Sequence, residues 1–182
     1  MNQAGLHNTL FIHSESLISR PWTFLISQLA HKSISHFGNN LIALCILGSI
    51  AEAWLGSREL LAVYLGGGAL TTLAQVTIGG SASVGASGGI WILIGFILPV
   101  LLVFWALHFL PDTPGSFPDW EMIYHELSAT PTAHEVLAAT IALSQILLFG
   151  VGGTVATGGG EVADLSHVTG LGLGALLAML WY

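Results

Sequence analysis

Long apolar stretches, interrupted by short polar or glycine-rich breaks, dominate this chain. Residues 60–111 form one such stretch, with 52 positions and no Asp, Glu, Lys or Arg. A helix that crosses the ~30 Å hydrocarbon core of a bilayer needs about 20 residues, so this stretch has room for two spans. The small, turn-prone residues at 79–83 predict the break between them. We therefore predict one helix over residues 60–78 and another over 84–109.

Three further apolar segments bring the predicted number of spans to five. They cover residues 40–55, 136–152 and 166–181. Residues 108–135 contain five acidic residues and four prolines, which is typical of a solvated loop. Residues 21–35 are partly apolar but too short to cross a bilayer, so we expect them to lie at the membrane interface.

The composition agrees with a membrane protein and excludes other classes. Hydrophobic residues make up 53% of the chain and charged residues 7%, against roughly 25% charged residues in an ordinary soluble domain. Three Lys and Arg against ten Asp and Glu give a net charge of -7, so we expect no nucleic-acid binding. We predict an all-α, multi-pass integral membrane protein of a prokaryotic cell membrane, with the lipid bilayer as its surroundings.

Polar side chains in the apolar segments are the candidate functional residues, because such groups are costly in hydrocarbon. Ser87 lies among small residues at 85–89, where the predicted turn becomes a helix. A serine at a helix N-terminus can act as a nucleophile whose own N–H helps to hold an oxyanion. The alternative is that these small residues serve only to pack helices closely.

Histidines at the starts of two predicted spans supply further candidate chemistry. His167 precedes Gly170 and Gly174, whose four-residue spacing lets another helix approach and can bring His167 to a hydroxyl as a general base. The alternative is that His167 lies at the membrane interface with its hydrogen bonds satisfied and has no catalytic role. His36 and Asn40 are spaced i, i+4 and offer uncharged donors for an oxyanion hole. They can equally be a polar cap on a helix that enters the bilayer.

Taken together, these residues resemble the rhomboid family of intramembrane serine proteases. The motifs follow the family's order: Arg20-Pro21-Trp22-Thr23-Phe24, His31 with His36 and Asn40, Gly48-xxx-Glu52-xxx-Gly56-Ser57, Gly85-x-Ser87-Gly88, and His167-xx-Gly170-xxx-Gly174. The resemblance predicts a rhomboid-like helical bundle with about five transmembrane helices at residues 20–182, after a polar N-terminal segment at 1–19. Rhomboids generally have a span ahead of the Arg-Trp motif, so we expect this first family helix to be missing here.

The resemblance also implies a mechanism. Ser87 would be the nucleophile and His167 its general base, in a dyad that cleaves transmembrane segments of other membrane proteins. His36, Asn40 and the N–H of Ser87 would form the oxyanion hole. Trp91 falls where the family usually has a tyrosine, and its aromatic face would steer the His167 ring.

Six further residues are implied to support this site. They are Gly85, Gly88, Gly170, Gly174, His31 and Glu52. His31 and Glu52 would be structural members, and Glu52 would tie down the interfacial segment that precedes the first span.

Other functions remain open from the residues alone. An inactive rhomboid-like protein that binds membrane clients is the main alternative. A transporter is disfavoured because Ser87 and His167 both begin spans, whereas a transport path needs polar residues across the whole membrane. His134-Glu135 starts like a zinc-binding helix, but Ala138 stands where the second histidine is required, so we expect no metal and no cofactor.

Overall fold

Apolar helices make up the part of the chain that the structure describes. This computed structural model describes residues 19–79, 85–109, 136, 139, 140, 143 and 164–181. The helices are α1 (Thr23–Ile26), α2 (Ile34–Leu55), α3 (Ser57–Thr77), α4 (Ser87–Phe109) and α5 (Asp164–Trp181), and a 3₁₀ turn at Ser27–Leu29 follows α1. Strands do not occur among these residues.

The segment predicted to lie at the membrane interface folds into α1 and the following 3₁₀ turn. Phe24 is buried, whereas Trp22, Ile26 and Leu29 are exposed. A short element with one buried side and several exposed apolar side chains fits a position on the membrane surface. The carbonyl of Ser27 accepts a hydrogen bond from the Gly85 N–H at 2.9 Å, which joins this segment to the start of α4.

Helix α2 begins earlier than the hydropathy pattern predicts. The side chain of Ser33 accepts a hydrogen bond from the His36 N–H at 3.1 Å and caps the helix at Ile34. His36 and Asn40 therefore both lie within the first two turns of α2. The residues between the cap and Asn40 are too polar to be recognised as a span from hydropathy, although they are helical.

Helix α3 contains a π-helical turn at Ala62–Gly66. Such a turn interrupts the regular i to i−4 bonding pattern. The Leu65 carbonyl in this turn accepts a hydrogen bond from Nε2 of Gln28 at 2.9 Å. Gln28 is 1% exposed, and a Cβ at Gly68 would overlap its side chain. The π turn and the small residue after it thus make room for the interfacial segment.

Helix α4 is the centre of the bundle and packs against α2, α3 and α5. Leu93, Phe96 and Ile97 on this helix are fully buried. The helix starts at Ser87 instead of the predicted residue 84, because Gly85 adopts a φ of 115° that is incompatible with a right-handed helix.

Helices α4 and α5 approach each other at the level of their backbones. A Cβ at Gly174 would lie 2.7 Å from the Phe96 amide nitrogen, and one at Gly170 would lie 2.8 Å from the Gly88 carbonyl oxygen. The close approach that the four-residue glycine spacing predicts is therefore present.

Among the described residues, three helices are long and apolar enough to cross a membrane. They are Ile34–Leu55, Ser57–Thr77 and Ser87–Trp105, and the shorter apolar helix Leu165–Trp181 accompanies them. The expected all-α membrane bundle is confirmed. Of the predicted loop at 108–135, the first two residues belong to α4 and residues 110–135 lie outside the described residues. Most of the predicted span at 136–152 also lies outside them, as do residues 1–18, on which the expected missing helix depends. The division into segments at 1–19 and 20–182 stays a prediction.

Candidate active site

Ser87 is the first residue of α4 and follows a sharp backbone turn. The turn is made at Gly85, whose φ of 115° favours glycine, and the Gly85 N–H is fixed on the Ser27 carbonyl. The Ile90 N–H donates to the Ala86 carbonyl at 3.1 Å and closes the first turn. The N–H of Ser87 precedes this bond, so it has no acceptor within the helix. The positive end of the helix dipole lies at this N-terminal turn.

The structure brings His167 to Ser87 although 80 positions separate them in the chain. Nε2 of His167 lies 3.1 Å from Oγ of Ser87. Both side chains are half-buried. In the tautomer with the proton on Nδ1, Nε2 accepts the serine O–H, and this is the arrangement that a general base requires.

Trp91 stacks on the His167 ring from the same helix that carries Ser87. The ring centroids are 5.1 Å apart and the rings are inclined by 22°. Trp91 lies four residues after Ser87, so both side chains lie on one face of α4. Stacking of this kind restricts rotation of the imidazole about its Cβ–Cγ bond, and the steering role that the family resemblance implies for Trp91 stays a prediction.

His36 and Asn40 face the turn that precedes Ser87. A Cβ at Gly85 would lie 3.2 Å from Nε2 of His36 and 3.6 Å from Nδ2 of Asn40. Within the described part of the chain, Nδ2 of Asn40 and Nδ1 of His36 are buried and make no hydrogen bond. A buried donor without a partner is costly, and the amide of Asn40 lies beside the turn at Gly85 that precedes Ser87.

His31 supports His36 through ring contacts. The two imidazoles meet edge to face with centroids 5.0 Å apart, and Phe37 contacts His31 in the same manner at 5.2 Å. Nδ1 of His31 lies 3.2 Å from the Leu29 carbonyl oxygen. The structural role expected of His31 stays a prediction.

Glu52 does not hold the interfacial segment, so that expectation is wrong. Its carboxylate accepts a hydrogen bond from Oγ of Ser57 at 2.5 Å, across the junction between α2 and α3. Glu52 lies 18 positions after Ile34, which is about 27 Å along a helix, so it cannot reach the segment before α2. The position of Glu52 near the C-terminal end of the predicted span at 40–55 already indicates the junction at which it lies.

Gly88 lets two helices approach the start of α4. A Cβ there would overlap the hydroxyl of Thr71 on α3. On the other side, a Cβ at Gly170 would lie 3.0 Å from Cβ of Trp91. These small residues therefore bring α3 and α5 against the turn that carries Ser87.

Two buried glutamines near the site were missed by the sequence analysis. Gln28 bonds to the π turn of α3, and Oε1 of Gln75 accepts the Ser166 N–H at 2.9 Å. Both are polar residues in apolar surroundings, so the criterion that selected Ser87 would also have selected them. Their partners are backbone groups distant in the chain, which no local pattern reveals.

The fold and this site define a multi-pass integral membrane protein with a serine and a histidine in contact inside a helical bundle. Residues 19–182 match the model of the Rhomboid domain, so the chain belongs to the rhomboid family. This confirms the resemblance drawn from the motifs.

Two rhomboid proteases are similar to this chain. One is rhomboid protease GlpG of Haemophilus influenzae, 28% identical over 164 residues that cover 90% of this chain and 69% of the relative. The other is rhomboid protease GluP of Bacillus subtilis, 33% identical over 81 residues that cover 44% of this chain and 16% of the relative. The match thus spans well under two thirds of GluP. Both relatives are bacterial, which fits a prokaryotic membrane.

Proposed function

We propose that this protein is an intramembrane serine endopeptidase that uses Ser87 and His167 as a catalytic dyad. Family membership and the likeness to two rhomboid proteases support a protease that works in the bilayer. The single observation that carries the assignment of residues is the 3.1 Å distance between Oγ of Ser87 and Nε2 of His167. A serine and an imidazole in such contact form the minimal unit of nucleophilic acyl transfer.

The reaction has two halves. Oγ of Ser87 attacks the peptide carbonyl while Nε2 of His167 takes its proton, and the protonated histidine then donates that proton to the leaving amine. Water attacks the resulting acyl-enzyme with His167 again as the base, which releases the acid and regenerates Ser87.

Hydrogen-bond donors on one side of Ser87 have to stabilise the negative charge that develops on the carbonyl oxygen of the substrate. Nδ2 of Asn40 and Nε2 of His36 lie beside the turn at Gly85, and the N–H of Ser87 would be the third donor. Preorganised donors of this kind contribute about 2.7–4 kcal/mol each to the transition state. None of the three adds a permanent charge to the membrane interior.

A third, acidic member is not needed to orient His167. Burial of a further carboxylate in the bilayer would be costly. Stacking on Trp91 holds the ring plane instead.

The substrates we propose are transmembrane segments of other membrane proteins. A regular helix hides its carbonyls in backbone hydrogen bonds, so attack requires local unwinding. Segments with Gly or Pro near the end of the span are therefore the preferred targets. Ser87 lies at the start of α4, which fits cleavage near one membrane surface.

The test compares two serine variants in reconstituted vesicles with a single-span reporter. Ser87→Ala should abolish cleavage without a change in thermal unfolding. Ser49→Ala is the matched control, because the exposed Ser49 hydroxyl donates only to the Cys45 carbonyl on its own helix in the described part of the chain. Undiminished cleavage by Ser87→Ala would overturn the assignment. A folded wild-type protein that binds the reporter without cleaving it would favour the client-binding alternative.

A further inference from the structure

Gln75 connects α3 to the helix that carries His167. It lies two residues before the end of α3 and is 6% exposed. Its Oε1 accepts a hydrogen bond from the backbone N–H of Ser166 at 2.9 Å, across 91 positions of the chain. Ser166 is 2% exposed and directly precedes His167.

The Ser166 N–H belongs to the first turn of α5, where backbone donors have no acceptor within their own helix. A backbone donor at a buried position needs an acceptor, either from the protein or from a buried water. Here the side chain of Gln75, on a neighbouring helix, is the acceptor and acts as an N-cap supplied by another element.

The other contacts of α5 fix different degrees of freedom. Gly170 and Gly174 bring the backbone of α5 close to α4 and set the distance between the two helices. Glycine residues have no side chains that interlock with the facing helix. Their contacts therefore restrain sliding and rotation of α5 against α4 less than a hydrogen bond does, because a hydrogen bond depends on direction as well as distance. Trp91 orients the imidazole ring but acts on the side chain alone.

The end of α3 leaves room for this contact. A Cβ at Gly79 would lie 3.1 Å from Nε2 and 3.3 Å from Cδ of Gln75. The side chain thus runs past Gly79 toward α5, and a larger residue there would press on it.

We infer that Gln75 is a positioning residue: by holding the Ser166 N–H, it fixes the first turn of α5 so that His167 stays within hydrogen-bonding distance of Ser87. The inference rests on the proposed dyad. Gln75 lies outside the dyad and the oxyanion hole, but the rate of the chemical step depends on it. A misplacement of about 1 Å at a reacting group costs on the order of 100-fold in rate.

The test uses two substitutions in the full-length protein. Gln75→Met keeps the length of the side chain but removes the acceptor, whereas Gln75→Glu keeps a carbonyl acceptor, because a carboxyl group at such a buried position is protonated and uncharged. Thr140→Val is the matched control. It removes the 3.0 Å bond that Nε1 of Trp105 donates across 35 positions of the chain, together with the bond from the Thr140 hydroxyl to the Val136 carbonyl. Each variant is assayed for kcat and KM on the reporter, for thermal unfolding, and for hydrogen exchange at the Ser166 amide.

Gln75→Met should lower kcat by about 10- to 100-fold with KM within about twofold of the wild type. Gln75→Glu should retain most of kcat. Thr140→Val should lower the unfolding temperature at least as much as Gln75→Met but leave kcat within about twofold of the wild type. Exchange at the Ser166 amide should accelerate in Gln75→Met alone.

Two results would overturn the inference. One is a Gln75→Met enzyme with wild-type kcat, and the other is a loss of kcat that follows the loss of thermal stability equally in Gln75→Met and Thr140→Val. Failure of the proposed function is distinguishable, because the wild type and Ser87→Ala would then both lack cleavage. Hydrogen exchange still decides the contact in that case: unchanged exchange at Ser166 in Gln75→Met refutes it, and accelerated exchange supports it.

Discussion

Replacement of Gly85 by alanine perturbs the oxyanion-hole side of the proposed site with a single methyl group. The new Cβ would lie 2.8 Å from Cε1 and 3.2 Å from Nε2 of His36. These distances are shorter than ordinary van der Waals contact, so the imidazole or the turn has to move. The backbone conformation adds to the strain, because φ at this position is 115°.

The magnitude follows from these two effects. A non-glycine residue in a sparsely populated backbone region costs on the order of 1–3 kcal/mol of stability. Displacement of one oxyanion donor costs on the order of 100- to 1000-fold in kcat. We therefore expect Gly85→Ala to fold with reduced stability and to lose most of its cleavage rate, with KM little affected, since the donors act on the transition state.

Gly38→Ala is the matched control for this substitution. Gly38 lies on α2 two residues after His36, and nothing lies within 4 Å of a Cβ built there. Because alanine is favoured over glycine in a helix by about 1 kcal/mol, we expect equal or higher stability and wild-type cleavage. The assay is the initial rate of reporter cleavage in vesicles together with thermal unfolding. Wild-type kcat in Gly85→Ala would refute the placement of His36 and Asn40 beside the reacting carbonyl.

Two further predictions concern the contacts of α5. Trp91→Ala should lower kcat by about 10-fold or more because the His167 ring loses its stacking partner, whereas Trp91→Tyr should retain most of the rate; steady-state kinetics of both variants checks this. Gly174→Val should lower the free energy of unfolding by at least about 1–3 kcal/mol, because its side chain would enter the backbone of α4 at Phe96. Gly172→Ala, with nothing within 4 Å of the added Cβ, should be tolerated in the same thermal unfolding assay.

The helices of this protein are largely predictable from its sequence, because the bilayer imposes a length and an apolar composition on each span. The break near residue 79 and the start of the last helix follow from small and polar residues at those positions. The start of α2 was missed because its first turn is polar, although the Ser33 cap marks it. The expectation for Glu52 failed because Glu52 lies in the last turn of α2, far from the interfacial segment, which its position in the chain already implies.

The candidate site is harder to predict from local sequence patterns than the helices are. Nothing in the residues around Ser87 reveals that His167 meets it across 80 positions, and the family resemblance supplied that expectation. The π turn of α3 and the bond from Gln75 to Ser166 depend on tertiary contacts between distant backbone groups. Such contacts carry no local periodicity or motif, so they appear only once the helices are packed.

The central claim is that His167 activates the hydroxyl of Ser87 inside the membrane. Its most direct test is covalent labelling of the reconstituted protein by a fluorophosphonate, with the modified residue mapped by mass spectrometry. The account predicts an adduct on Ser87 that is lost in a folded His167→Ala variant. An adduct on another residue, or equal labelling of Ser87 without the imidazole, would contradict it.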